Sequence, residues 1–258
     1  MRRVKGVIWR HLYFFPRSLD RIADSVYWPI LDIVLWGLTS SWLLQQKEVP
    51  GLVLAILTAL VFWQIVWRAS YEISVNLLEE LWNTNLVNLF SSPLTFGEWV
   101  AGILLMSLFK LVITVVVGFG AVWLLYSLNI IQMGWLLIPY MINLIIFGWT
   151  VGMFTSAFII YFGLKIQTIA WVFGFIFAPF SAVYYPVSQL PVAIQPISRL
   201  LPATYVFEGL RQYLFYGIFN LEYLFVAAGM NVIYFLLAFA FFKFMFIKSK
   251  QKGLARLE

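Results

Sequence analysis

Residues 134–162 read GWLLIPYMINLIIFGWTVGMFTSAFIIYF, a run without a single charged side chain. An α-helix needs about 20 mostly apolar residues to cross the hydrocarbon core of a bilayer, and this run exceeds that length. Its residues are continuously apolar rather than alternating in hydrophobicity, which favours a helix over a transmembrane β-strand. The run therefore predicts a transmembrane helix that is long enough to tilt or to extend into the interface.

Five further stretches of the chain share this apolar character. They are Val26–Leu44, Gly51–Trp67, Trp99–Tyr126, Thr168–Val187 and Tyr223–Ile247. Of the 258 residues, 63% are hydrophobic and 11% are charged, whereas about 25% are charged in an average soluble domain. A soluble protein needs a polar outer face, which this composition does not supply. We therefore expect an all-α, polytopic membrane protein whose residues 1–258 form one transmembrane domain with six transmembrane helices.

The residue types that are missing exclude several kinds of chemistry. The chain has no cysteine and a single histidine, His11, so it has no disulfide framework, thiol nucleophile, iron–sulfur cluster or zinc site. It contains none of the GxxxxGK[ST], HExxH and GxSxG motifs. We expect no cofactor bound by this chain. A membrane protein of this kind is either a conduit, passive or powered by another chain, or an enzyme that acts on lipid.

Basic residues indicate the orientation of the chain. The formal net charge is +6, and the Lys and Arg residues lie mostly at the chain ends and in loops. This distribution is typical of topology signals and contacts with anionic lipids, so we expect no nucleic-acid partner. With a cytoplasmic amino terminus, 13 basic residues fall inside and three outside. We therefore expect a multi-pass protein of the cytoplasmic membrane with both termini in the cytoplasm.

The first 22 residues predict an amphipathic interfacial helix that leads into the first span. Apolar residues recur at spacings of three and four from Val4 to Phe15, while the arginines and Lys5 fall elsewhere. Pro16 ends or kinks this helix. The alternative is a frayed terminus that is merely positive. The residues that we assign to the interfacial helix are Trp9, Arg10, Leu12, Tyr13 and Phe15.

Residues 70–93, which follow the second predicted span, are too many for a turn. Their leucines recur with helical spacing, and Ser92 and Pro93 end the pattern. Glu79 and Glu80 are unusual because acidic residues are otherwise scarce on the cytoplasmic side. The segment is either a solvated amphipathic helix or a docking surface for a soluble partner. The candidate docking residues are Glu79, Glu80, Leu81, Trp82, Asn83 and Leu86.

Residues 186–217, which precede the last span, contain a cluster of prolines. Four of the ten prolines of the chain lie within 17 residues, which excludes one continuous helix. The segment nevertheless stays largely apolar, so we expect short, broken, re-entrant helices in the outer leaflet. Glu208 and Arg211 are spaced to form an ion pair, either a structural one or part of an exit gate. The candidate outer-gate residues are Tyr185, Pro202, Thr204, Tyr205, Glu208 and Arg211.

Two ionisable residues fall inside predicted spans. Asp32 lies in the first span and Lys110 lies near the middle of the third. A charge at the bilayer centre costs about 2.5–3.5 kcal/mol on insertion scales. Either the two residues face the protein interior and pair with each other, or Asp32 contacts interfacial water while Lys110 extends alone toward the interface.

Two segments carry a resemblance to a known family. EELWNTNLVNLFSSPLTFGEW (79–99) looks like a coupling helix that stops and restarts at a Ser-Pro-Leu sequence, and APFSAVYYPVSQLPVAIQPISRLLPATYVFEGLR (178–211) looks like an outer region ending in a Pro-x-Thr-Tyr…Glu-x-x-Arg signature. With the surface helix and the six spans, the chain resembles the permease subunits of type-2 ABC exporters over essentially its whole length. The signature residues here are Pro202, Thr204, Tyr205, Glu208 and Arg211.

The resemblance implies a function and a set of partners. Two copies would form a homodimer, and each would dock on a separately encoded ABC ATPase subunit through the helix over residues 79–90. ATP and Mg²⁺ would bind to the ATPase. Its closure would push on that helix and on the interfacial helix, and would open a path between the two copies. The substrate would be amphipathic, namely a lipid-linked glycan, a glycolipid or a hydrophobic drug, moved among membrane lipids toward the outer leaflet.

Overall fold

The computed structural model of the chain describes residues 2–14, 19–46 and 51–254. Within these ranges every regular element is a helix, which confirms the all-α fold class. Short 3₁₀ turns join several of the α-helices. The α-helices, numbered in chain order, are α1 (Arg2–Phe14), α2 (Leu19–Gln46), α3 (Leu52–Trp82), α4 (Leu86–Ser91), α5 (Phe96–Tyr126), α6 (Leu137–Phe162), α7 (Ile169–Ile176), α8 (Gln195–Arg199), α9 (Pro202–Tyr216) and α10 (Leu221–Gln251).

Four helical segments in the described ranges are long and apolar enough to cross a membrane. They are Val53–Trp82, Phe96–Tyr126, Ile130–Ile166 and Leu221–Gln251. They coincide with most or all of the second, third, fourth and sixth predicted spans, so the protein is a membrane-embedded helical protein. The first predicted span lies inside α2, which is not among these four segments.

The fifth predicted span, Thr168–Val187, differs from the structure because it is not one helix. α7 ends at Ile176, a single 3₁₀ turn follows at Ala178–Phe180, and Ala182 has a φ of 56° in the left-handed region. Pro179 lacks the backbone N–H that a continuing helix needs, and a second proline follows before residue 187. The high hydrophobicity of this stretch therefore belongs to a broken segment and not to one continuous helix.

The helix α3 lies at the centre of the bundle and packs against α2, α5, α6 and α7. Its closest neighbour is α6, where two glycines one turn apart face it. A Cβ atom at Gly148 would lie 2.6 Å from the carbonyl oxygen of Val66, and one at Gly152 would lie 2.6 Å from that of Ser70. The two backbones therefore approach each other more closely than any larger side chain would allow, as small residues permit in membrane helices.

One end of the bundle brings together segments that are distant in sequence. Arg10 of α1 contacts Glu80 near the end of α3. The rings of Phe96 and Phe246 lie 4.8 Å apart, which joins the start of α5 to the end of α10. We call this end of the bundle, where α1, the end of α3, α4, the start of α5 and the end of α10 meet, the α1 end. These contacts agree with the prediction that the amino terminus, residues 70–93 and the carboxyl-terminal region lie on one side of the membrane. That this side is the cytoplasmic one stays a prediction.

Candidate functional site

A cavity of about 350 Å³ lies between α2, α3 and α7. Pairs of residues one helical turn apart project from each helix toward it, as side chains at i and i+3 or i+4 do. Both Trp28 and Phe175 are about half exposed, so the cavity is open at the surface of the chain. The lining residues are Trp28 and Asp32 of α2, Gln64 and Trp67 of α3, and Trp171 and Phe175 of α7.

Aromatic rings continue from this cavity toward both ends of the bundle. Toward the α1 end, Trp171 stacks on Trp82 at a centroid distance of 6.3 Å, and Trp82 Nε1 donates a hydrogen bond to Gln167. On α2, Trp36 lies two turns after Trp28 and stacks on Tyr184 at 5.1 Å. We call this set the aromatic stripe. Its members are Trp28, Trp36, Trp67, Trp82, Trp171, Phe175 and Tyr184.

The polar side of the cavity is formed by Asp32, which accepts a hydrogen bond from Gln64. The hypothesis that Asp32 pairs with Lys110 is wrong, because Lys110 points to a different carboxylate. Among the described residues, no basic side chain lies within salt-bridge distance of Asp32. The cavity therefore combines aromatic faces with one carboxylate that has an amide neighbour.

The carboxylate that binds Lys110 is Glu72 of α3. Lys110 Nζ lies 2.6 Å from Glu72 Oε2, and Arg68 Nη1 lies 3.5 Å from Glu72 Oε1. Asn76 Nδ2 donates a further hydrogen bond of 3.2 Å to Oε2. All four side chains are buried. The Arg68 guanidinium also lies 5.4 Å from the Trp67 ring centroid, so this buried ion cluster adjoins the cavity.

The predicted second span ends at Trp67 and leaves Arg68 and Glu72 outside it, so neither residue is among the sequence-predicted site residues. The structure continues α3 to Trp82 and buries both residues. A signal was available, since a basic and an acidic residue four apart share one helix face. Such a pair can lie inside a span, whereas an unpaired charge there is expensive.

The predicted docking helix over residues 79–90 is interrupted in the structure. α3 includes Glu79 to Trp82, and α4 starts at Leu86 after a break in which Thr84 has a φ of 47°. The run Asn-Thr-Asn at residues 83–85 breaks the helix because these short polar side chains favour turns over helix interiors. Only part of the predicted docking face is therefore one continuous helix.

Burial divides the candidate docking residues into two groups. Trp82 and Asn83 are exposed, and Glu79 is half-buried, so these three can meet a partner. Glu80 is 2% exposed and forms an ion pair of 2.8 Å with Arg10, together with a hydrogen bond of 2.6 Å from Asn85. Glu80 therefore attaches α1 to the end of α3. The two remaining candidates, Leu81 and Leu86, are buried in the core.

The helix α1, which the sequence predicts to be interfacial, packs along the start of α5. The buried Val7 side chain occupies the space beside Gly102, where a Cβ atom would lie 2.7 Å from Val7 Cγ1. Arg3 donates a hydrogen bond of 2.7 Å to the carbonyl oxygen of Pro93. The other predicted α1 residues divide as an amphipathic helix requires: Trp9 and Tyr13 are exposed, Leu12 is half-buried, and Phe15 lies outside the described residues.

The predicted pair between Glu208 and Arg211 is confirmed, with Arg211 Nη1 at 3.0 Å from Glu208 Oε1. Both partners also hold the irregular segment after α7. Val187 N donates to Glu208 at 2.8 Å, and Arg211 donates to the carbonyl oxygen of Ala182 at 2.6 Å. Burial lowers the pKa of Arg211, and the Glu208 carboxylate opposes that shift. The pair is therefore a structural clamp, which borders a cavity of about 610 Å³.

The remaining candidate outer-gate residues make local contacts in the same region. Pro202 occupies the first turn of α9, where its missing N–H is tolerated. Thr204 donates a hydrogen bond of 2.6 Å to the carbonyl oxygen of Ser198, and Tyr185 donates one of 2.8 Å to that of Pro179. Tyr205 lies edge-on to Tyr223 of α10 at 5.8 Å. These contacts join the short helices α8 and α9 to the rest of the bundle.

No protein-family model matches this sequence, and no curated protein matches it. Its function is therefore inferred from the geometry of the aromatic stripe, the ion cluster and the α1 end.

Proposed function

We propose that this chain is the membrane-spanning subunit of an ATP-driven exporter that moves an amphipathic substrate and is powered by a separate ATPase subunit. The single observation that carries the proposal is the continuity of α3. This one helix lines the aromatic cavity at Gln64 and Trp67 and reaches the α1 end, where Glu80 joins α1 and Trp82 is exposed. A displacement applied to the α1 end therefore reaches the cavity along a single rigid element.

The aromatic stripe supports the substrate part of the proposal. An amphipathic molecule needs a surface that accepts both ring or chain carbons and polar groups, and aromatic side chains beside Asp32 and Gln64 offer both. Several members of the stripe are 39–54% exposed, namely Trp28, Trp36, Trp82 and Phe175. The stripe therefore forms one wall of a path, and a second copy of the chain facing it would supply the opposite wall within the lipid bilayer.

The α1 end supports the coupling part of the proposal. The ion pair between Arg10 and Glu80 and the contact between Val7 and Gly102 connect α1 to both α3 and α5. The exposed side chains there, among them Trp82, Asn83 and Asn88, are free to contact an ATPase. A partner that binds these residues differently in its ATP-bound and ADP-bound states could shift the equilibrium between two arrangements of α3.

Purification of the tagged chain from its native membrane in mild detergent, followed by mass spectrometry, tests the proposal. We expect a near-stoichiometric soluble subunit with a Walker A motif. If the chain is recovered alone from a membrane in which known complexes survive the same detergent, the proposal is wrong. The chain would then be a passive conduit or an enzyme that acts on lipid.

A variant sharpens this test. Asn88→Arg adds a bulky charge to an exposed position of α4 and should reduce co-purification of the ATPase severalfold while membrane insertion is preserved. Gln132→Arg makes the same kind of change at an exposed position between α5 and α6 and serves as the matched control. Equal recovery of the ATPase with both variants would contradict the docking role of the α1 end.

A further inference from the structure

The cavity between α2, α3 and α7 has a defined electrostatic character. Among the described residues that line it, Asp32 is the only ionisable one. The part of the lining that the structure describes has no basic side chain, and there the carboxylate accepts its hydrogen bond from the uncharged Gln64. A carboxylate inside a membrane-embedded bundle carries a large desolvation cost unless a cation neutralises it. The cavity therefore favours a positively charged ligand over an anionic or a neutral one.

The surroundings of Asp32 differ from those of Glu72 in the buried ion cluster. The carboxylate of Glu72, on α3, lies 2.6 Å from Lys110 and 3.5 Å from Arg68. The same bundle thus neutralises one carboxylate internally and leaves the other beside an open cavity. Carboxylates of the second kind in membrane proteins typically act as counter-ions for ligands or transported ions.

The aromatic side chains indicate which class of cation the cavity binds. Trp28, Trp67, Trp171 and Phe175 surround the space next to Asp32. Rings of this kind attract organic cations through their electron-rich faces, and quaternary ammonium groups are bound in such aromatic cages. A small inorganic cation would need several oxygen ligands, and the described side chains that line the cavity offer those of Asp32 and Gln64. Its volume of about 350 Å³ accommodates a substituted ammonium group.

We propose that this cavity binds the ammonium head group of a cationic amphiphile, with Asp32 as its counter-ion and the surrounding rings as an aromatic cage. The open side at Trp28 and Phe175 leaves room for the apolar tail to extend out of the cavity. The inference deepens the proposed function, because it rests on that function for the role of the cavity in transport and names the substrate class. The binding itself depends on this chain alone.

Two probes with the same tail and different heads test the inference. The full chain is reconstituted in lipid nanodiscs, and binding of radiolabelled dodecyltrimethylammonium is measured after subtraction of empty nanodiscs. We expect saturable binding that excess unlabelled dodecyltrimethylammonium displaces and that dodecyl maltoside, an uncharged sugar-headed probe, does not. Equal competition by the two probes would overturn the proposal and point to a sugar-binding or unspecific apolar site.

Variants identify the groups responsible. Asp32→Asn should weaken binding of the cation at least tenfold, while Asp32→Glu, which keeps the charge, should restore most of it. Glu222→Gln, which removes an exposed carboxylate at the start of α10, is the matched control and should leave binding unchanged. Unaltered binding by Asp32→Asn, in protein whose helical circular dichroism matches the parent chain, contradicts the counter-ion role.

A second pair of variants tests the role of the aromatic cage. Trp171→Leu keeps an apolar side chain but removes the electron-rich ring, so binding should weaken about threefold to tenfold. Trp135→Leu changes an exposed tryptophan outside the cavity and should have no effect. The outcome is independent of the ATPase experiment. If the chain binds the cation but co-purifies with no ATPase, this inference holds and the proposed exporter function is wrong. If the chain co-purifies with an ATPase but does not bind the cation, the exporter function holds and this inference is wrong.

Discussion

Asp32 and Glu72 are carboxylates on neighbouring helices of one bundle, but their surroundings are opposite. Glu72 is buried and in contact with two basic side chains and an amide. Asp32 is only partly buried, borders an open cavity and has one uncharged hydrogen-bond partner among the described residues. The difference indicates that the first carboxylate maintains the packing of α3 and α5, while the second is available to a ligand.

The largest expected effect follows from Glu72→Gln. The substitution keeps the shape of the side chain but leaves Lys110 and Arg68 buried beside a neutral group. Removal of one partner from a buried ion pair typically costs about 3–5 kcal/mol. We expect a decrease of this size in the free energy of unfolding, measured by titration with sodium dodecyl sulfate in mixed micelles. A loss below about 1 kcal/mol would mean that the cluster does not stabilise the bundle.

A double variant tests the reason for that loss. In Glu72→Gln with Lys110→Met, one of the unneutralised charges is removed together with the carboxylate. The double variant should therefore be more stable than Glu72→Gln alone, because an apolar replacement of a buried ion pair is often tolerated. If the two substitutions destabilise the protein additively, electrostatic compensation between the residues is excluded as the cause.

Glu80 provides an intermediate case, since it is buried while its partner Arg10 is partly exposed. Glu80→Gln weakens the charge-assisted bonds from Arg10 and Asn85, and we expect a loss of about 1–3 kcal/mol in the free energy of unfolding. Because α1 depends on this pair, its basic residues should also become more accessible to trypsin. Parallel digestion of the Glu222→Gln control shows whether any increase is specific to the α1 end.

The fold class and most of the spans could be predicted because apolar length is a local property. Runs such as 134–162 need no partner to be recognised, and the spacing of Glu208 and Arg211 predicts their contact within one helix. The end of the second span was misjudged because Arg68 looks like a loop residue in isolation. Its burial is compatible with the fold because Glu72, one turn later on the same helix, lies 3.5 Å from its guanidinium.

The aromatic cavity could not be predicted, because its lining comes from three helices that are distant in sequence. Trp28, Trp67 and Trp171 have no mutual spacing that a linear pattern could reveal, and tryptophan also occurs at membrane interfaces and in packed cores. The partner of Asp32 was missed for a similar reason: Gln64 lies within an apolar run and carries no charge. Docking of the helices is what converts these residues into a site.

Asp32→Asn should affect stability far less than Glu72→Gln does. The asparagine can still accept a hydrogen bond from Gln64, and no described basic side chain loses a partner. We expect a change within about 1 kcal/mol in the same detergent titration. A loss as large as that of Glu72→Gln would remove the contrast between the two carboxylates and make Asp32 a structural residue.

The smallest expected effect belongs to Arg3→Ala. Arg3 lies 3.5 Å from Glu98, and both side chains are substantially exposed. Water and dissolved ions screen such a pair, and exposed ion pairs contribute little to stability. We expect an unfolding curve that coincides with that of the parent chain at moderate salt. A shift comparable to that of Glu80→Gln would show that the bond from Arg3 to the carbonyl oxygen of Pro93 also holds α1 in place. The degree to which each carboxylate is buried would then no longer explain why Glu72→Gln, Glu80→Gln and Arg3→Ala differ in their effect on stability.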